Sequence, residues 1–290
     1  MKLLLKFNLV FLLVFAMGLG ASSYVARKLL QEGAHAEVLD RGRLLMESAV
    51  AVRTYTIGQI APLLETQMTY TFLPQSIPAY SATEVLNTLR KNHPEYAYKE
   101  AMLNPTNPRD RAQAWEEDVI QKFRQSTDTT EFIGQRSTPT GLVTYIARPI
   151  TIGNAACLRC HSTVEAAPKP LVEKYGPANG FGWTLNEVLG AQVVSVPMSV
   201  PLARADRAFN VVMALLVGVF LMIGLALNLM LWKLVIRPVS RLSELSDRVS
   251  LGELDAPEFD VKSRDEIGSL AESFTRMRKS MVHAMRMLDT

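Results

Sequence analysis

Two apolar runs set the first limit on what this chain can fold into. The longer, Phe209 to Trp232, holds about 24 residues with only Asn210 and Asn228 as polar interruptions. At ~1.5 Å per residue, a helix of that length crosses a hydrocarbon layer of ~30 Å, so a membrane span explains it better than a buried core helix. The other run lies in "MKLLLKFNLVFLLVFAMGLGASSYVARKLL", where Lys2 and Lys6 precede an apolar stretch from Leu9 to Ala21. It reads as an export signal. Gly18-Leu19-Gly20-Ala21 offers small residues for cleavage, yet helix-forming sequence continues through Leu29 and Leu30, which favours an uncleaved anchor.

Positive charge on the short flanks sets the orientation. Lys2 and Lys6 before the first span match Lys233, Arg237 and Arg241 after the second, so both ends are expected in the cytoplasm of a two-pass inner-membrane protein. The expected division is a cytoplasmic N-terminus (1–8), a first span (9–26), a periplasmic domain (27–207), a second span (209–232) and a cytoplasmic segment (233–290). With 48% hydrophobic residues a packed core is expected. The 31 basic against 28 acidic residues are too evenly matched for a nucleic-acid surface.

The segment between the spans opens on a long helical pattern, "RKLLQEGAHAEVLDRGRLLMESAVAVRTYTIGQI", with Leu29, Ala36, Leu39, Leu45, Val50 and Ile57 at helical spacings. Repeated prolines then predict a loop-rich middle, with short helices at Thr83 to Lys91 and Arg109 to Gln125. From Glu131, "EFIGQRST" and "LVTYIARPI" flank a Pro139-Thr140-Gly141 turn and predict a β-hairpin, and "AQVVSVPM" from Ala191 to Met198 predicts another strand. The expected class is α+β, a sheet covered by helices.

The chain's two cysteines stand together in "CLRCH" as Cys157 and Cys160, with His161 directly after. A dithiol redox pair has no need of the histidine. A structural zinc site wants a second ligand pair, and His35, His93 and His283 are scattered. Covalent haem attachment uses all three residues: each thiol adds across a haem vinyl group, and His161 ligates the iron. An exported location suits that chemistry. Haem c is therefore the expected cofactor, held by Cys157 and Cys160 and ligated by His161.

For the sixth iron position the candidates are His35, Met46, Met68, His93, Met102 and Met198, most of which would be core methionines or surface histidines in any domain. Met46 is preferred because it shares a helical face with Val50 and Arg53, which would offer a sulfur, an apolar wall and a cation for a haem propionate. A five-coordinate iron open to a gas ligand is the alternative.

After the second span, Val235, Pro238, Leu242, Leu245 and Val249 repeat at alternating three- and four-residue steps, and Ile267, Leu270, Phe274, Met277 and Met281 do so again beyond a linker. Each segment is too short to be stable alone, which predicts a dimeric four-helix coiled coil. "RPVSRLSELSDRVSLGELD" with "RDEIGSLAESFTRMRKSM" resembles a HAMP linker, including the Gly252-Glu253-Leu254 turn and Asp265-Glu266-Ile267-Gly268. The exported segment, with "AVRTYT", "CLRCH", "NGFGW" and "GAQVVSVPM", resembles the haem-c, PAS-like sensor domains that often precede HAMP linkers in bacteria. That resemblance implies a His161-ligated haem and a distal ligand from the first helix. The expected function is a membrane-anchored haem c sensor of redox state or of a small ligand. It would be a homodimer and not an enzyme, signalling to a separate cytoplasmic kinase, cyclase or chemoreceptor-type partner. A membrane-anchored electron-transfer cytochrome is the alternative.

Overall fold

The computed structural model describes residues 3–126, 128–139, 141–253, 257 and 265–288. By its internal packing the chain forms two compact units, residues 27–208 and residues 1–26 with 209–290.

Helix α1 (Leu3–Tyr55) supplies the first face of the 27–208 unit and ends in a π-helical turn, Thr56–Ile60. It is followed by α2 (Ala61–Met68), α3 (Pro78–Arg90), strand β1 (Ala97–Met102), α4 (Ala114–Gln125), β2 (Phe132–Thr138) and β3 (Gly141–Thr151). A single helical turn, α5 (Leu158–His161), α6 (Lys169–Tyr175) and β4 (Val188–Pro197) complete it. The strands form one antiparallel sheet in the order β1-β4-β3-β2. The predicted hairpin is present as β2 and β3, although Thr140 of its turn lies outside the described residues.

Alternation along the strands divides the core in two. Ile146, Val194 and Val196 face α1 and α3, packing with Val38, Met46, Ala49, Ala82 and Leu86. Tyr145, Ala147, Ala191 and Val193 face α4 and meet Val119, Ile120 and Phe123. The middle of the chain is less loop-like than its prolines suggest, because β1 is a strand built from "AYKEAM", residues with weak strand preference. Pairing with β4 along its whole length overrides that preference.

The buried face of α1 differs from the one its leucines predict. Ala34, Val38, Gly42, Met46 and Ala49 are buried; of the expected positions Leu39 and Leu45 pack against this core at its edge, whereas Leu29 and Ile57 are exposed. The helix lies so close to the sheet that small residues are needed at the contact: a Cβ on Gly42 would come within 2.7 Å of Ile146 Cδ1.

In the other unit, α7 (Ser199–Leu231) contributes the second apolar run and leads through a π-helical turn, Trp232–Ile236, into α8 (Arg237–Ser250); α9 (Glu266–Leu288) follows. Among the described residues, two helices are long and apolar enough to cross a membrane, by length and composition. Within this unit Phe15 packs on Phe220, and Gly224 lies against the Phe11 ring. Asn8 and Asn228 exchange two side-chain hydrogen bonds, each 2.8 Å. Leu242 and Val249 of the predicted seam are buried, and Ala271 rather than Leu270 is buried on α9. The connector residues Leu254 to Arg264, Pro257 aside, lie outside the described residues.

Candidate functional site

Cys157, Cys160 and His161 are presented by one tight piece of backbone. The Asn154 side chain accepts from the Ala156 amide at 2.8 Å and opens a 3₁₀ turn, Ala155–Cys157, which runs directly into α5. Both cysteines are free and half-buried, and each rests against its own apolar cluster. Cys157 packs against the cluster of Met102, Ile152 and Leu189, as does Trp183, while Cys160 packs against that of Phe72, Ala167 and Leu171, as do Met68 and Phe181. Burial pushes the Cys160 thiol above its ordinary range, with Arg159 opposing weakly. Among the described residues, no group of three or more His, Cys, Asp or Glu is gathered to hold a metal ion.

His161 is clamped by two loops distant in sequence. Its Nδ1 lies 2.7 Å from the Gly180 carbonyl oxygen, with the Thr106 hydroxyl at 3.4 Å. The ring stacks on Trp183 with centroids 3.8 Å apart and planes 12° apart. The Gly180 amide donates to Asn104, Asn104 donates to the Phe181 carbonyl, and Arg111 donates to Asn179. Gly180 has φ +84°, and a Cβ there would overlap Thr106, so only glycine brings its carbonyl to His161. Burial holds the imidazole below its ordinary pKa, and the Gly180 bond opposes this only in part. In the neutral ring, Nδ1–H donates to Gly180 and Nε2 keeps its lone pair, the tautomer an iron-ligating histidine requires.

Arg53 reaches the same region. It pairs with Glu100, which is 2% exposed, and lies near enough to Cys157 for an electrostatic interaction. Glu100 also accepts from the Tyr98 hydroxyl at 2.8 Å, and that oxygen accepts from Gln192 at 3.2 Å. The other sequence candidates are dispersed. Met46, favoured as the distal ligand, is 0% exposed in the core between α1 and the sheet. It belongs there to a cluster separate from those of both cysteines, because its helical face is the one that packs on Ile146 and Val194. Met198 is in that same core. His93 is exposed beside Glu95, and His35 lines a cavity with Thr144. Met68 and Met102 are the methionine candidates whose side chains join the cysteines' clusters.

Reading the residues for chemistry did not single out Trp183, Gly180, Thr106 or Asn104. The available signal was "NGFGW", whose two glycines in five residues mark a backbone of unusual conformation beside an aromatic ring.

Residues 230–283 match the HAMP domain. A protein of Acetivibrio thermocellus described as a sensory transducer is 40% identical over 70 residues, a stretch covering 23% of this chain and 12% of that relative. The crystal structure of the cyanobacterial heme-protein Tll0287 overlays on 56% of this chain and 95% of its own, with 17% identity and a TM-score of 0.44. The Tll0287-like family profile matches residues 31–197, more than half of the sequence, and the chain belongs to that family.

Proposed function

We propose that this protein is a membrane-anchored transducer whose periplasmic domain carries haem c on Cys157 and Cys160 with His161 on the iron, and relays the state of that haem to a cytoplasmic partner. A Tll0287-like sensor domain followed by a HAMP domain is the build of a sensor-transducer. The observation that carries the haem reading is the His161 clamp: a half-buried imidazole held through Nδ1 by a carbonyl and stacked on Trp183, leaving Nε2 to bind a metal.

The thiols fit the same group. Two cysteines resting against separate apolar clusters suit addition of each S–H across a different vinyl of one large apolar ring. They suit a shared ion less well. When bound, haem supplies an iron whose oxidation state or small-molecule ligand can change. Trp183 covers one face of the His161 ring, and Arg53, close to Cys157, offers a cation for a propionate. For the distal position Met68 and Met102 are better placed than Met46, which would have to leave the core. Leu270, Met277 and Met281 are exposed on α9, a seam that a second copy of the chain would cover in a HAMP-type bundle.

The test is full-length protein matured in a host that attaches haem c, with pyridine haemochrome spectra of the parent and of Cys157→Ala, Cys160→Ala and His161→Ala. The parent should give a thioether-linked haem spectrum, each cysteine variant should lose one linkage, and His161→Ala should change the axial ligand signature. A colourless parent ends the proposal. Deleting residues 264–290 should leave the spectrum intact and abolish the downstream response; a surviving response would remove the transducer half of the reading.

A further inference from the structure

The cavity that His35 lines with Thr144 lies at the opposite end of the sheet from Cys157, between α1 and the β2–β3 hairpin. Its volume is about 390 Å³, and it is lined by His35, Leu39, Ile133, Gly134, Gln135 and Thr144. That is within the size of small-molecule pockets, roughly 300–1,000 Å³. The strand register accounts for the lining. Gln135 pairs with Thr144 and Ile133 with Ile146, so Ile133, Gln135 and Thr144 share the sheet face that Ile146 turns toward α1.

Thr144 is 4% exposed, and among the described residues its hydroxyl has no hydrogen-bond partner. A buried hydroxyl left unpaired is costly, and valine would fill the same space in a strand without that cost. The lining also offers the Gln135 carboxamide and the His35 imidazole, set among apolar walls from Leu39 and Ile133, with no Asp, Glu, Lys or Arg.

We propose that this cavity binds a small neutral organic molecule with an apolar body and one oxygen function, a carbonyl, amide or hydroxyl, that pairs with Thr144. An ionised ligand is disfavoured because the lining holds no Lys or Arg to compensate its charge. The cavity shares no residue with the Cys157–His161 turn, so it stands whether or not haem is carried. Thr144 also pairs with Val196, two residues before Met198 and the start of α7. An occupant would therefore bear on the point where the chain leaves the sheet for the second apolar helix.

The experiment is fluorine NMR of the full chain in detergent micelles with para-fluorobenzamide, para-fluorophenol and para-fluorobenzyl alcohol, and with para-fluorobenzoate as the charged counterpart. At least one neutral probe should broaden beyond protein-free micelles, and the benzoate should not. Thr144→Val should weaken binding about three- to tenfold, and His35→Trp, which fills the mouth, should abolish it. Circular dichroism melts establish that the variants fold, and Thr144→Val decides alone if His35→Trp does not. Failure of all neutral probes, equal binding of the benzoate, or unchanged binding in Thr144→Val would overturn the proposal. So would loss of self-association in His35→Trp when no probe binds the parent, which would assign this face to a second copy.

Discussion

Replacing Arg53 with methionine should destabilise the 27–208 unit by about 3 kcal/mol, the low end of the cost of stranding a buried charge. The magnitude follows from the surroundings of Glu100. That carboxylate is 2% exposed and among the described residues has two donors, the Arg53 guanidinium and the Tyr98 hydroxyl. Burial, reinforced by Glu100, raises the Tyr98 pKa, so its proton stays in place to donate. Without Arg53 the carboxylate keeps one hydrogen bond and loses its countercharge. The Arg53 side chain is 25% exposed, so water can reach part of the gap, which sets the expectation at the lower end of the range. Methionine preserves the apolar stem, which removes lost packing as an explanation. The double variant Arg53→Met, Glu100→Gln has no stranded charge, and glutamine can still accept from Tyr98; its cost should fall to about 1 kcal/mol. Denaturant unfolding of the four species in micelles, followed by tryptophan fluorescence, closes the cycle. A single-variant cost below about 1 kcal/mol, or a double variant no more stable than Arg53→Met, would refute the reasoning.

Three further outcomes are expected. Gly42→Val should lower the thermal midpoint through an overpacking cost of about 1–3 kcal/mol, since the first added carbon already meets Ile146, and Ile146→Val should recover part of the loss. Gly180→Ala should cost about 1–2 kcal/mol for the left-handed backbone alone and, by moving the carbonyl, should shift the His161 imidazole ¹⁵N resonances; an unmoved resonance would count against the clamp. Burial, opposed by Arg109, raises the Asp110 pKa from 3.8 to about 6, so the folded state holds a proton there that the unfolded state has released. Stability should therefore fall as pH rises from about 4 through 6, by up to about 3 kcal/mol, and Asp110→Asn should remove that slope in melts run across the window.

The hairpin, the last strand and the helices α8 and α9 were legible because each repeats its apolar residues with its own period. β1 was not, because Ala97, Lys99, Glu100 and Ala101 are no better suited to a strand than to a helix until β4 pairs with them. The face of α1 was legible only at its edge, in Leu39 and Leu45, for a related reason: apolarity points to leucine, but a helix pressed against a sheet buries Gly42 and Ala49, whose value is their small size. Cys157, Cys160 and His161 could be read directly, being local. What holds His161 could not, since Thr106 and Gly180 lie 55 and 19 residues away and only the fold joins them.

The paired carboxamides of Asn8 and Asn228 limit how the two apolar helices can shift against each other. Both bonds are 2.8 Å long, and an axial slide of about 2 Å would stretch bonds lying across the helices past useful length at the same moment, while each carboxamide nitrogen keeps its bond to the carbonyl one turn back, Leu4 for Asn8 and Gly224 for Asn228. Displacement of one helix past the other thus meets a restoring force near its origin. Motions that keep the latch shut, in which the two helices travel together or roll about the Asn8–Asn228 contact, are left as the inexpensive ones.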